Sequence, residues 1–134
     1  LAVTYGNVHL GLGFKIRVQV KNGRMSTSDL RVINNASNQF WSVATLLAMM
    51  EVRAEAEKMG YSDDIKPIVT IYDSVYYRVR KDPTILRWFK ATLEKAMRRD
   101  FMKNQTIALS ADAEISFTDW ASFKPMTDEL LSSI

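Results

Sequence analysis

The sequence predicts an α+β domain with antiparallel β-hairpins packed on two long helices. Three observations carry that expectation. Runs such as Phe14–Val20 and Ala111–Thr118 alternate apolar and polar residues with a period of two. Two longer stretches, one ending near Met59 and one starting after Asp82, repeat apolar residues at steps of three and four. The two patterns succeed one another in the order ββ–α–ββ–α–β–α, which suits an antiparallel sheet with helices on one face. At 134 residues the chain reads as a single domain, 1–134, without an internal repeat, low-complexity segment or linker.

Val3–Leu10 and Phe14–Val20 read as the first two strands, parted by Gly11-Leu12-Gly13. In the second, Phe14, Ile16, Val18 and Val20 should face the core, with Lys15, Arg17 and Gln19 toward water. His9 reads as a surface residue at a strand end, because no acidic or nucleophilic partner lies near it in sequence. Lys21–Ser28 reads as a loop rich in Gly, Asn and Ser. Lys15, Arg17, Lys21 and Arg24 make this end basic, either as a solvated surface or as a phosphate contact.

The first long helix should start near Ser28 or Ser37 and stop at Met59, with Gly60 just past its end. Phe40, Val43, Leu47, Met50 and Ala54 make its predicted core stripe, with Met49, Met50 and Met59 as filler. After a connection closed by Pro67, Ile68–Tyr72 and Val75–Arg80 form a predicted hairpin turning at Asp73-Ser74. Asp82-Pro83 has the form of an N-cap followed by Pro in the first helical turn. Ile85, Leu86, Trp88, Phe89, Leu93, Ala96, Met97 and Phe101 then stripe a helix to about Lys103. Its opposite face carries Arg87, Lys90, Lys95, Arg98 and Arg99. Ala111–Thr118 should be the last strand, Asp119–Phe123 a single helical turn, and Thr127–Ile134 a short terminal helix.

Composition narrows the chemistry. The chain has no Cys, so disulfides, thiolate metal sites and Cys nucleophiles are excluded. One His argues against a multi-His metal site or a His-based triad. A bound metal would therefore be a hard cation, such as magnesium, on carboxylates. The net charge of +3 permits a polyanionic partner without requiring one. No apolar run is long enough to cross a membrane, and no secretory signal is visible. The chain opens at Leu1 rather than Met, which reads as a processed or excised piece.

The chemistry concentrates in two places. Asp73 stands at the end of an apolar hairpin, where it is an ordinary turn residue or a carboxylate held ready for a cation. Arg31, Asn35 and Gln39 stand four apart, so on a helix each step turns about 40° and the three share one face. Such a row of donors and amides can bond the acceptors that every base pair presents in the minor groove, holding a duplex without reading its sequence. Capping and plain solvent exposure are the competing readings for Asn35 and Gln39.

RVINNASNQFWS, a helix, and then IVTIYDSVYY resemble the C-terminal palm segment of family A DNA polymerases, especially those of bacteriophages. In that family an Arg, an Asn and a Gln recur at this spacing, and a hairpin with His-Asp-Glu at its turn follows one long helix later. GNVHLGLGFKIR and EISFTDWASFKPM also look like the family's flanking segments, so the resemblance spans most of the chain. It implies a palm-like fold and a C-terminal fragment of a DNA-directed DNA polymerase. Asp73 would be the catalytic, metal-binding carboxylate in a two-magnesium site whose second carboxylate lies outside this chain. Arg31 and Gln39 would contact the primer–template, Asn35 would support that row, Tyr72 would sit near the primer end, and Lys15 and Arg17 would meet phosphates. The partners implied are primer–template and dNTP, and the setting is the cytoplasm of a bacterial host of a phage or prophage. Tyr72 and Ser74 depart from the family's usual His and Glu.

Three functional readings follow: a polymerase palm fragment inactive by itself, a stand-alone non-catalytic nucleic-acid-binding module, and an interaction protein whose Asp73 is only a turn residue. The fragment reading also predicts homodimerisation through an exposed sheet edge.

Overall fold

The computed structural model describes residues 7–11, 13–99 and 109–134. Among these residues it is α+β: four two-stranded antiparallel ladders, one very long helix, a second, shorter one and a single C-terminal helical turn. The strands are β1 (Asn7–Gly11), β2 (Phe14–Arg17), β3 (Val20–Lys21), β4 (Arg24–Met25), β5 (Ile65–Ile71), β6 (Ser74–Val79), β7 (Glu114–Ile115) and β8 (Lys124–Pro125). The helices are α1 (Thr27–Met59), α2 (Pro83–Met97) and α3 (Asp128–Ser132). Consecutive strands pair β1–β2, β3–β4, β5–β6 and β7–β8, so the expected sheet is a set of separate ladders among the described residues.

The predicted strand Phe14–Val20 breaks after Arg17, and Val20–Lys21 turns back on Arg24–Met25. Asn22 and Gly23 form that turn with φ of 50° and 73°, the paired left-handed conformations that Asn-Gly adopts in a two-residue hairpin. The stretch expected as a plain loop is therefore largely hairpin. Val18 is buried as expected, whereas Phe14 is exposed.

α1 begins where Ser26 caps it, the hydroxyl accepting from the Asp29 N–H at 3.1 Å. It ends at Gly60, whose φ of 77° lets its N–H bond back to the Ala56 and Glu57 carbonyls. Its core-facing stripe is Phe40, Ala44, Thr45, Ala48, Val52 and Ala56, not the Val43, Met50 and Ala54 expected from the sequence. Three of these are Ala, which lets α2 and the β5–β6 hairpin approach closely. Met50, taken as filler, is 68% exposed, and Met59 is exposed too. Thr45 is buried without cost because its hydroxyl donates to the Trp41 carbonyl at 2.9 Å.

β5 starts at Ile65, earlier than expected, and carries Pro67 in the ladder opposite Tyr77, with a bulge before Val69. Pro lacks an N–H, and a bulge on an edge strand is where it is tolerated. α2 is capped by Asp82, whose carboxylate accepts from Thr84 N at 2.8 Å and Ile85 N at 3.3 Å. It ends at Met97; the expected continuation through Phe101 to Lys103 lies outside the described residues.

The main core packs Ala48, Val52 and Ala56 of α1 against Ile65 of β5 and Ile85, Phe89 and Ala96 of α2. Tyr61, Tyr77, Val79, Trp88 and Leu93 close its edges. Leu86, on another side of α2, joins Met126 and Leu131 in a second cluster that pins the C-terminal segment. An ion pair between Arg99, just past the end of α2, and Glu51 in the C-terminal half of α1 ties the two helices together. The final predicted strand is reduced to Glu114–Ile115, paired with Lys124–Pro125, and the expected helical turn at Asp119–Phe123 is an irregular turn built on Asp119.

Candidate functional site

The β5–β6 hairpin places Asp73 by a two-residue turn. Ile71 and Ser74 are the closing pair, so the turn residues are Tyr72 and Asp73 rather than Asp73 and Ser74. Tyr72 has φ of 54° and is 85% exposed. That is the turn position where Gly is the usual occupant, and a side chain there carries a steric cost.

Asp73 is exposed and joins no ion pair among the described residues. It borders an open cavity of about 260 Å³ whose other walls are Trp41, Ala44 and Thr45 of α1, Met97 of α2, and Leu109 and Ser110. The hairpin tip therefore leans toward the middle of α1, and Asp73 borders a largely apolar hollow with no Lys or Arg among its described walls.

Arg31, Asn35 and Gln39 all lie on α1 and are all exposed. At about 100° per residue the row spans some 80° of the helix circumference. Trp41, Ala44 and Thr45 centre on a direction about 85° from Arg31 and nearly opposite Gln39. The row thus occupies the outer face of α1, while the Asp73 cavity opens on the inner one. The axial offset is small, about 7 Å from Gln39 to Ala44 at 1.5 Å per residue.

Lys15 and Arg17 are exposed on β2, two residues apart and so on one strand face. They belong to a different ladder from Asp73. The next ladder sets Lys21 directly opposite Arg24. Like charges across a ladder repel, which costs this pair some stability. The Asn22-Gly23 dipeptide was the signal in the sequence that would have placed these two cations side by side.

For a metal, Asp73 stands alone. No group of three or more His, Cys, Asp or Glu side chains able to hold an ion occurs among the described residues. A single exposed carboxylate does not fit a two-ion magnesium site by itself.

Another feature was not read from the sequence. Trp120 stacks on Tyr76, ring centroids 4.5 Å apart with 29° between planes. Phe123 meets both rings edge-on, at 5.8 Å from Trp120 and 6.1 Å from Tyr76. Asp119 builds the turn that presents Trp120: its carboxylate accepts from the Ser122 hydroxyl at 2.8 Å, the Ala121 N–H at 2.9 Å and the Thr118 hydroxyl at 3.1 Å. Those donors, Ser122 foremost, hold its carboxyl below the usual pKa.

Comparison with family models, with curated proteins and with solved structures finds no match to the chain. No helix among the described residues is long and apolar enough to cross a membrane.

Proposed function

We propose that the chain is the C-terminal palm segment of a DNA-directed DNA polymerase of the family A kind, encoded by a phage or prophage and working within a longer parent in the cytoplasm of the bacterial host. The observation that carries this reading is an ordered pair of features. An exposed Arg31–Asn35–Gln39 row opens one long helix, and an exposed Asp73, with no ion-pair partner among the described residues, tips the hairpin that follows it. In this reading Arg31 and Gln39 donate to minor-groove acceptors of the primer–template, and Asn35 supports them. The Tyr72 ring lies near the primer end, and Lys15 and Arg17 meet backbone phosphates. Asp73 is one carboxylate of a magnesium site whose other carboxylate belongs to the rest of the parent. Nucleotide addition therefore requires the parent, and the chain alone is inactive.

A second reading, a nucleic-acid-binding module without chemistry, is favoured by one observation: the row and the acid open on different faces of α1. Two measurements separate them. In the parent enzyme, Asp73→Ala abolishes primer extension with duplex binding retained; normal extension by that variant overturns the polymerase reading. In the isolated chain, Arg31→Ala with Gln39→Ala weakens primer–template binding at low salt, read by fluorescence anisotropy, by about tenfold or more. Unchanged binding removes the row from both readings.

A further inference from the structure

We infer that the outer face of the β5–β6 hairpin is a stacking site for unpaired nucleic-acid bases, with Trp120 as its platform. Trp120 is 57% exposed although Tyr76 covers one of its faces. An indole that large, left this open, has apolar surface still to bury. It is also preorganised: Tyr76 and Phe123 fix the ring, and the Asp119 turn fixes the backbone beneath it. A base that stacks on it pays little ordering entropy from the protein side.

The charge beside it fits a nucleic-acid strand. Tyr76 and Arg78 are two residues apart on β6, hence on one face, and Lys66 is the ladder partner of Arg78. Arg78 joins no ion pair among the described residues, while Lys66 is bonded to Asp63 at 3.0 Å. One strand step from the aromatic rings there is thus a guanidinium available to a phosphate. The only carboxylate within the aromatic turn, Asp119, is occupied by three donors from that turn. Aromatic rings interleaved with backbone-directed cations are how single strands are held without sequence preference. A duplex cannot use the platform, because its bases are already stacked on each other. This site shares no residue with the Arg31, Asn35, Gln39 and Asp73 set, so it stands or falls separately from the polymerase reading.

The test uses the full 134-residue chain with a fluorescent oligothymidylate of about twenty nucleotides, titrated by anisotropy at low salt. Trp120→Ala is expected to weaken binding about tenfold and Trp120→Phe to keep most of it. Arg78→Ala should lower the slope of log affinity against log salt by about 0.7. Thermal melts of each variant confirm folding, and Arg78→Ala, on an exposed side chain, remains informative if Trp120→Ala unfolds. Wild-type chain that ignores the oligonucleotide overturns the inference, as does Trp120→Ala binding like wild type. Wild type that sediments as a dimer, with Trp120→Ala monomeric, also overturns it, because the face then belongs to a second copy. Loss of oligothymidylate binding with fully paired duplex binding intact isolates this site; the reverse isolates the Arg31–Gln39 row.

Discussion

Tyr77 lies edge-on to Phe89 with ring centroids 4.9 Å apart, and its hydroxyl is buried with no hydrogen-bond partner among the described residues. The ring belongs to the main core, where it joins the hairpin to α2, but the hydroxyl is a liability there. Burial pushes its pKa up to about 12. The neutral form is therefore favoured by folding. Between the unfolded value near 10 and the folded value the unfolded chain loses its proton first, so stability falls as pH rises through that window. Tyr77→Phe keeps the ring and removes the hydroxyl. It should leave stability at neutral pH unchanged or raised by about 1 kcal/mol, and flatten the loss above pH ~10. Urea melts across that pH range measure both, and a marked loss at neutral pH would show that the hydroxyl has a partner.

The cap of α2 gives a second expectation. Asp82 accepts from two N–H groups that have no other partner in the first turn. Asp82→Ala should cost about 1 kcal/mol, and Asp82→Asn much less, since Asn caps equally well. Asp73→Ala, by contrast, removes an exposed carboxylate with no ion pair among the described residues and should stay within ~0.5 kcal/mol. Chemical denaturation of the three variants decides this. A large loss from Asp73→Ala would mean that the hairpin tip needs its acid structurally, which would weaken the functional reading of that residue.

Which face of α1 is inside can be tested by a swap of expectations. Ala48 is 1% exposed against α2 and the hairpin, and Met50 is 68% exposed. Ala48→Leu should overpack the helix interface and cost about 1–3 kcal/mol. Met50→Ala should be nearly neutral, within about 0.5 kcal/mol. The opposite ranking would restore the stripe suggested by residue size alone.

That stripe shows where the sequence stops being legible. Large residues at three- and four-residue steps pointed to Val43 and Met50, but close packing against α2 selects the small ones, Ala48 and Ala56, while Ala44 is buried beside Phe40. Hydrophobic spacing reports periodicity, and it does not report how near the neighbouring helix must come. Local chemistry was easier to read: Asp82-Pro83 and Gly60 act through adjacent backbone, and the first starts α2 and the second ends α1 as expected. The hairpin turn slipped by one residue because Asp-Ser is a good turn pair by composition, while the ladder register is set by which face of Tyr77 and Val79 enters the core. The Tyr76–Trp120–Phe123 cluster joins segments more than forty residues apart in sequence, and no local pattern announces it.

The slip at the turn leads to the last expectation. Tyr72 holds φ at 54° with its ring in water, a conformation that costs a non-glycine residue about 1–2 kcal/mol. Nothing in the core needs that ring, since the side chain is exposed. Strain retained at an exposed tip beside Asp73 is the pattern of a residue kept for contact with a ligand. Tyr72→Gly relieves the strain and should raise the thermal midpoint by a few degrees, the entropy of the extra glycine offsetting part of the gain. On the proposed polymerase reading, the same change in the longer parent should slow primer extension, because it would remove the ring from the primer end. If the glycine variant is more stable and extends equally well, Tyr72 has no role at the primer terminus. If it is less stable, the ring is packed against something, and the strain is not the dominant effect.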